Sequence, residues 1–103
     1  MSVLTITVDN FEREVLQAQR PVLIDFWATW CGPCQKMGPV VDEYAAAHPE
    51  YTVGKVNVDE QPQLAAAFGI QSIPTLVVVK EGKGTAMAVG VQPPEQLDAL
   101  MAR

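Results

Sequence analysis

The stretch Val22-Leu23-Ile24-Asp25-Phe26-Trp27-Ala28-Thr29-Trp30-Cys31-Gly32-Pro33-Cys34 decides the fold. Its first seven residues are nearly continuous in apolar and aromatic side chains, the pattern of a central strand covered on both faces. Asp25 alone interrupts that run. From about Cys31 to Ala47 the spacing changes to a helical stripe of Met37, Val40, Val41, Tyr44 and Ala45. Gly38-Pro39 inside the stripe predicts a kink, and His48-Pro49 closes the helix. A cysteine pair that follows a strand and opens a helix lies at the carboxyl end of that strand, where open α/β sheets place their sites.

Working outward, Val3, Ile6 and Val8 form an apolar-rich first strand. Asp9 offers an N-cap for a helix carrying Phe11, Val15 and Leu16, which Pro21 stops. Thr52 to Val58 reads as a strand, Leu64 to Phe68 as a short helix ending at Gly69, and Thr75 to Lys80 as a second buried strand. Glu81-Gly82-Lys83-Gly84 supplies hairpin chemistry leading to a last strand near Thr85 to Val91, and Pro93 or Pro94 opens a helix with Leu97, Leu100 and Met101. The order βαβαβαββα predicts an α/β fold with a central mixed sheet and helices on both faces.

The chain has 103 residues, one domain's worth, and no repeat or linker divides residues 1–103. More than a quarter of the residues are Val, Leu, Ile or Phe, enough for a packed core. Seven basic against twelve acidic side chains leave a net charge of −5, with no basic cluster for nucleic acid or an anionic membrane surface. No apolar run reaches the roughly 18 residues that cross a bilayer. Met1-Ser2-Val3-Leu4-Thr5 lacks the basic flank and apolar segment of a signal peptide. A cytoplasmic location is expected.

Cys31 and Cys34 are the only cysteines. Three residues apart at a helix start, they fall within one turn, near the Cα separation of about 5.5 to 6 Å that a disulfide favours. The first meets the unsatisfied amides and positive dipole end of the helix, which stabilise a thiolate, so Cys31 is the expected nucleophile. Cys34, shielded one turn in, is placed to attack the mixed disulfide and release the reduced product. Gly32 admits a partner's backbone, and Pro33 fixes φ where no helical N–H is lost. Three plainer readings compete. A zinc site needs four ligands, and beyond the two thiols the chain offers only His48 and carboxylates. A structural disulfide across so short a loop constrains little chain entropy. Two inert buried cysteines fit poorly with a helix start beside Trp30.

The segment Phe26 to Cys34 resembles the active-site signature of the thioredoxin family, and Gly69-Ile70 with Ile73-Pro74-Thr75 resembles its second motif. The resemblance spans essentially the whole chain and implies the thioredoxin fold. It also implies a thiol-disulfide oxidoreductase that reduces disulfides in proteins and needs no metal or bound organic cofactor. By resemblance Pro74 is the family's cis-proline, the Ile73 backbone pairs with the substrate chain, and Gly90 and Val91 match a third contact loop. Asp25 and Lys55 match a buried carboxylate and its neighbouring lysine. Desolvation raises such an acid's pKa and suits it to accept a proton from Cys34, although a carboxylate paired for structure alone is the plainer account. Trp30 reads as an apolar contact surface beside the thiols or as core. Pro39 reads as a structural bend and His48 as a surface residue at a helix end.

Resemblance further implies a monomer recharged by a thioredoxin reductase, a flavoprotein fed by NADPH, with client proteins that carry catalytic disulfides. Gln35, Gly38 and Val79 depart from the family's usual lysine, alanine and phenylalanine. They bear on redox poise, helix stiffness and partner preference. A disulfide oxidase or isomerase, a binding module built on the rim of Trp30, Ile73 and Pro74, and a glutathione-dependent exchanger are the alternative functions. The Gly32-Pro33 pair looks like the reducing branch.

Overall fold

The computed structural model describes residues 3–103, so the first two residues of the N-terminal stretch and of the expected single unit lie outside the described residues. The elements run β1 (Val3–Thr5), α1 (Val8–Phe11, extended by a π turn over Glu12–Leu16), β2 (Val22–Trp27), α2 (Gly32–Ala47), β3 (Thr52–Asn57), α3 (Pro62–Ala67), β4 (Thr75–Lys80), β5 (Lys83–Val89) and α4 (Pro94–Met101). The strands form one sheet in the order β1-β3-β2-β4-β5. β1 and β2 lie parallel to β3, whereas β4 lies antiparallel to both β2 and β5. The expected mixed sheet is therefore present, with β2 at its centre.

Period-two alternation divides the core between the two faces. Leu23, Leu76 and Val78 pack with Met37, Val41 and Tyr44 of α2 and with Leu97, Leu100 and Met101 of α4. Val22, Ile24, Phe26, Val77 and Val79 pack on the other face with Ile6, Val15 and Leu64. Asp25, between Ile24 and Phe26, therefore shares the α2 face with Leu23. On the opposite face Phe68 bridges two aromatic neighbours, its ring centroid 5.3 Å from that of Phe26 and 5.8 Å from that of Phe11. Gly54 in β3 leaves the room Ile6 occupies, because a Cβ there would collide with the Ile6 side chain.

Several boundaries differ from the sequence reading, each for a local reason. Val8 opens α1 instead of extending the first strand, and Thr7 replaces Asp9 as the N-cap. The Thr7 hydroxyl accepts the Asn10 N–H at 3.3 Å while the Asn10 side chain accepts the Thr7 N–H at 2.8 Å. The first helix ends at Leu16, well before Pro21, in a π turn in which Gln17 N–H donates to Glu12 C=O at 2.9 Å. Leu16 is consequently exposed rather than packed. Val58 lies just past β3 and Phe68 caps α3, with Gly69 beyond it at φ +67°. The hairpin turn is confined to Glu81 and Gly82, both at positive φ as a type I′ turn requires. Gly84 therefore belongs to β5, near a bulge opposite Val78 and Val79, and Val91 lies beyond the strand.

Candidate active site

Three distant segments meet at one rim because of the sheet register. β2 ends at Trp27 and turns into α2 through Ala28–Cys31. β4 runs antiparallel to β2 with Phe26 opposite Thr75, so the residues just before β4 reach the same end. Thr75 also pairs with Val89, which carries Gly90 there as well. The Ile73–Pro74 peptide bond is cis, and Gly90 N–H donates to the Pro74 carbonyl at 2.8 Å. Pairing of β2 with β3 sets Asp25 beside Lys55.

Cys31 is the N-cap of α2, and its sulfur accepts the Cys34 N–H at 3.2 Å. The two cysteines form a disulfide with a Cα separation of 5.2 Å. The Cys31 sulfur lies 3.7 Å from the Ile73 carbonyl oxygen, which brings the dithiol against the cis-proline segment. Both cysteines are nearly buried, with Ala28 and Cys34 packed against Cys31, whereas Trp30 is 68% exposed. Its exposure excludes the core reading for Trp30. Gly32, Pro33 and Val91 are exposed, Ile73 and Gly90 are half-buried, and Pro74 is buried. Thr75 is also buried, and its hydroxyl donates to the Ser72 carbonyl at 2.5 Å, so its side chain shapes the loop.

Beneath the dithiol a cavity of about 230 Å³ is lined by Asp25, Trp27, Cys34, Gln35, Gly38, Pro39, Asp42 and Lys55. Asp25 is 1% exposed, and its Oδ1 has no hydrogen-bond partner. Burial pushes its pKa up to about 6; the Lys55 ammonium opposes that rise and Asp42 adds to it. Lys55 Nζ is paired with Asp42 Oδ1 at 2.9 Å. No group of three or more metal-ligating side chains occurs among the described residues, and no described helix is long and apolar enough to cross a membrane.

The sequence reading missed three contributors. The Trp30 indole N–H donates to Asp59 Oδ2 at 2.8 Å, which ties the exposed ring to the loop after β3. Asp42 meets Lys55 across the cavity. Met37 Sδ accepts the Gln92 N–H at 3.2 Å, tying α2 to the loop after Gly90. Only Met37 lay on a stripe that could have been singled out. Asp42 and Asp59 look like any solvated carboxylate until the fold brings their partners to them.

The chain matches the family model described as Thioredoxin over residues 2–103. It is 49% identical over 102 residues to a thioredoxin of Alicyclobacillus acidocaldarius subsp. acidocaldarius, covering 98% of this chain and 96% of that protein. It is 46% identical over 99 residues to thioredoxin 1 of Nostoc sp., covering 95% and 92% of the two chains. Thioredoxin 1 of Synechococcus elongatus is 48% identical over 95 residues, with 90% of this chain and 89% of that protein covered.

Proposed function

This chain belongs to the thioredoxin family and is a thiol-disulfide oxidoreductase that reduces protein disulfides by dithiol–disulfide exchange; from that premise we propose a role for each residue of the site. The Cys31 thiolate attacks one sulfur of the substrate disulfide, forming a mixed disulfide and expelling the other sulfur as a thiolate. Cys34 gives its proton to the Asp25 carboxylate and attacks the Cys31 sulfur. The internal disulfide forms, the second substrate sulfur leaves as a thiolate that takes up a proton from the site or solvent, and two electrons have passed from the dithiol to the substrate. The carrying observation is the capped helix start, where the Cys31 sulfur already accepts the Cys34 N–H at 3.2 Å. The same amide and the dipole of the 16-residue α2 favour negative charge on that sulfur in the reduced protein.

Trp30, Gly32, Pro33, Ile73, Pro74, Gly90 and Val91 form the substrate rim in this reading, Thr75 holds the loop, and Lys55 tunes Asp25. The exposure of Trp30 and Val91 around a nearly buried disulfide supports it, because a substrate must bring its own sulfur down to Cys31. Family membership implies a reductase and disulfide-bearing proteins as partners. The finer assignments are an NADPH-fed flavoprotein as that reductase, a monomeric state, a cytoplasmic location and residues 1–103 acting as a single domain.

Insulin reduction driven by dithiothreitol tests the cysteine roles. Cys31→Ser should abolish turnover, and Cys34→Ser should accumulate a covalent complex with the substrate. Turnover by Cys31→Ser, or trapping through Cys34 instead, would overturn the assignment.

A further inference from the structure

The cavity beneath the dithiol holds two carboxylates and a single ammonium, and the ammonium is engaged by the outer carboxylate. Lys55 reaches Asp42 at 2.9 Å, whereas the Oδ1 of Asp25 is left without a hydrogen-bond partner. Register does not force this choice, because Asp25 and Lys55 are direct neighbours across β2 and β3 and share a sheet face. Asp42 lies about three turns into α2 and is exposed, so the ion pair sits at the solvent mouth of the cavity. Gly38 lines the same cavity. A Cβ there would stand 3.7 Å from Lys55 Nζ, so glycine leaves the ammonium's flank uncovered in its outward pose.

We infer that Asp42 is a positioning residue for the exchange reaction: it draws the Lys55 ammonium to the cavity mouth and off Asp25, so that the inner carboxyl can hold and return the proton of Cys34. The groups facing Asp25 are Lys55 from β3 and Asp42 and Cys34 from α2. An ammonium in contact with Asp25 would hold it ionised and make it a weak proton acceptor. One held 2.9 Å from Asp42 leaves desolvation in control, and the carboxyl titrates close to the pH at which a thiol must be deprotonated. This inference rests on Asp25 being the proton acceptor, and it adds a device that sets how well Asp25 can act.

The test reads the titration midpoint of the Asp25 carboxyl in the oxidised protein by carboxyl-carbon NMR, and separately the pH dependence of insulin reduction. In Asp42→Asn the released ammonium turns inward, and the midpoint should fall by about one pH unit, the low end for a carboxyl beside a cation. The inflection of the pH–rate curve should fall with it. Asp42→Glu should restore both values. Removing the Asp42 charge also acts directly on Asp25, so the same substitution is made in a Lys55→Met background, where no ammonium can move. There the fall should shrink by at least about half, the remainder being the direct field across the cavity. An unchanged midpoint in Asp42→Asn, or an equal fall in both backgrounds, would overturn the inference. Asp25→Asn separates the two readings. If its pH–rate curve matches the wild type, Asp25 is not the proton acceptor, while the NMR midpoints still report whether Asp42 holds Lys55.

Discussion

The two ends of α2 each face an aspartate and treat it in opposite ways. At the first turn Asp25 is buried with an unpartnered oxygen, and its pKa is pushed up to about 6 by burial. At the last turns Asp98 of α4 accepts the Tyr44 hydroxyl at 2.7 Å and lies 3.8 Å from His48 Nε2. His48 caps the helix, meets Glu50 at 3.2 Å and packs tilted against Tyr44 with ring centroids 4.1 Å apart. Burial together with Asp98 raises the Tyr44 hydroxyl well above its usual range, whereas its own backbone N–H, and after it the contact with His48, lower Glu50. One end satisfies its polar groups and anchors the helix. The other leaves a carboxyl short of partners, which costs stability and supplies a proton site.

The largest expected effect breaks this contrast at the active end. Asp25 has a folded pKa of about 6 against an ordinary 3.8, so its penalty is absent in acid, grows between those values and is complete at pH 7. Asp25→Asn should therefore stabilise the oxidised protein at pH 7 by up to about 3 kcal/mol, while slowing reduction of a protein disulfide. Urea unfolding at pH 7 and at pH 3 checks the sign, since the gain should vanish at the lower pH. A gain that persists in acid would assign it to packing instead.

A smaller effect of opposite sign is expected at the anchored end. Tyr44→Phe removes the hydroxyl from Asp98 but leaves the ring on His48, and Asp98 is exposed enough to recover water. The loss should be about 1 kcal/mol, seen as a lower urea midpoint with insulin reduction unchanged. An activity change would show that the two ends are coupled through the helix.

Away from α2 altogether, the Thr7 cap offers a benchmark of similar size. Thr7→Ala should cost about 1 kcal/mol, because the Asn10 N–H loses its acceptor and one half of the reciprocal pair is gone. Thermal unfolding measures it. An unchanged transition would show that this pair adds nothing to the helix start, for which the sequence had offered Asp9 as the cap.

That last case illustrates what the sequence could and could not convey. Strand β4 was legible to the residue because a buried apolar run ends at a turn whose chemistry is local. The start of α2 was legible to within one residue, Cys31 proving to be its cap and Pro33 a first-turn residue, as backbone sterics favour. The first helix was misread because Asn10, rather than the usual Glu or Gln, closes the capping box, and Val8 falls in step with the alternation of β1. In the site, Cys31, Cys34 and Asp25 stood out against their immediate neighbours. Asp42, Asp59 and Gln92 did not, since each acquires meaning from a residue 13, 29 or 55 positions away that only the packed sheet and helix bring into contact.

Gln92 yields the smallest and most specific effect. Its N–H is held by Met37 Sδ, and its side-chain amide donates to the carbonyls of Val89 at 3.1 Å and Gly90 at 3.2 Å. Met37 is fully buried three residues after Cys34, so this contact fastens the Gly90–Val91 rim to the helix that carries the dithiol. An N–H···S bond is weak, about 0.5 kcal/mol, and replacing Met by Leu conserves volume, so Met37→Leu should leave stability within about 1.5 kcal/mol of wild type. The consequence belongs to substrate binding. A loosened rim should raise KM for a protein disulfide roughly twofold, with kcat and the rate toward a small disulfide such as oxidised dithiothreitol held constant. Steady-state insulin reduction set beside exchange with the small disulfide makes the distinction. Equal losses on both substrates would mean that Met37 supports the dithiol itself, and the division of α2 into a reacting end and an anchored end would then extend one turn deeper than its polar contacts indicate.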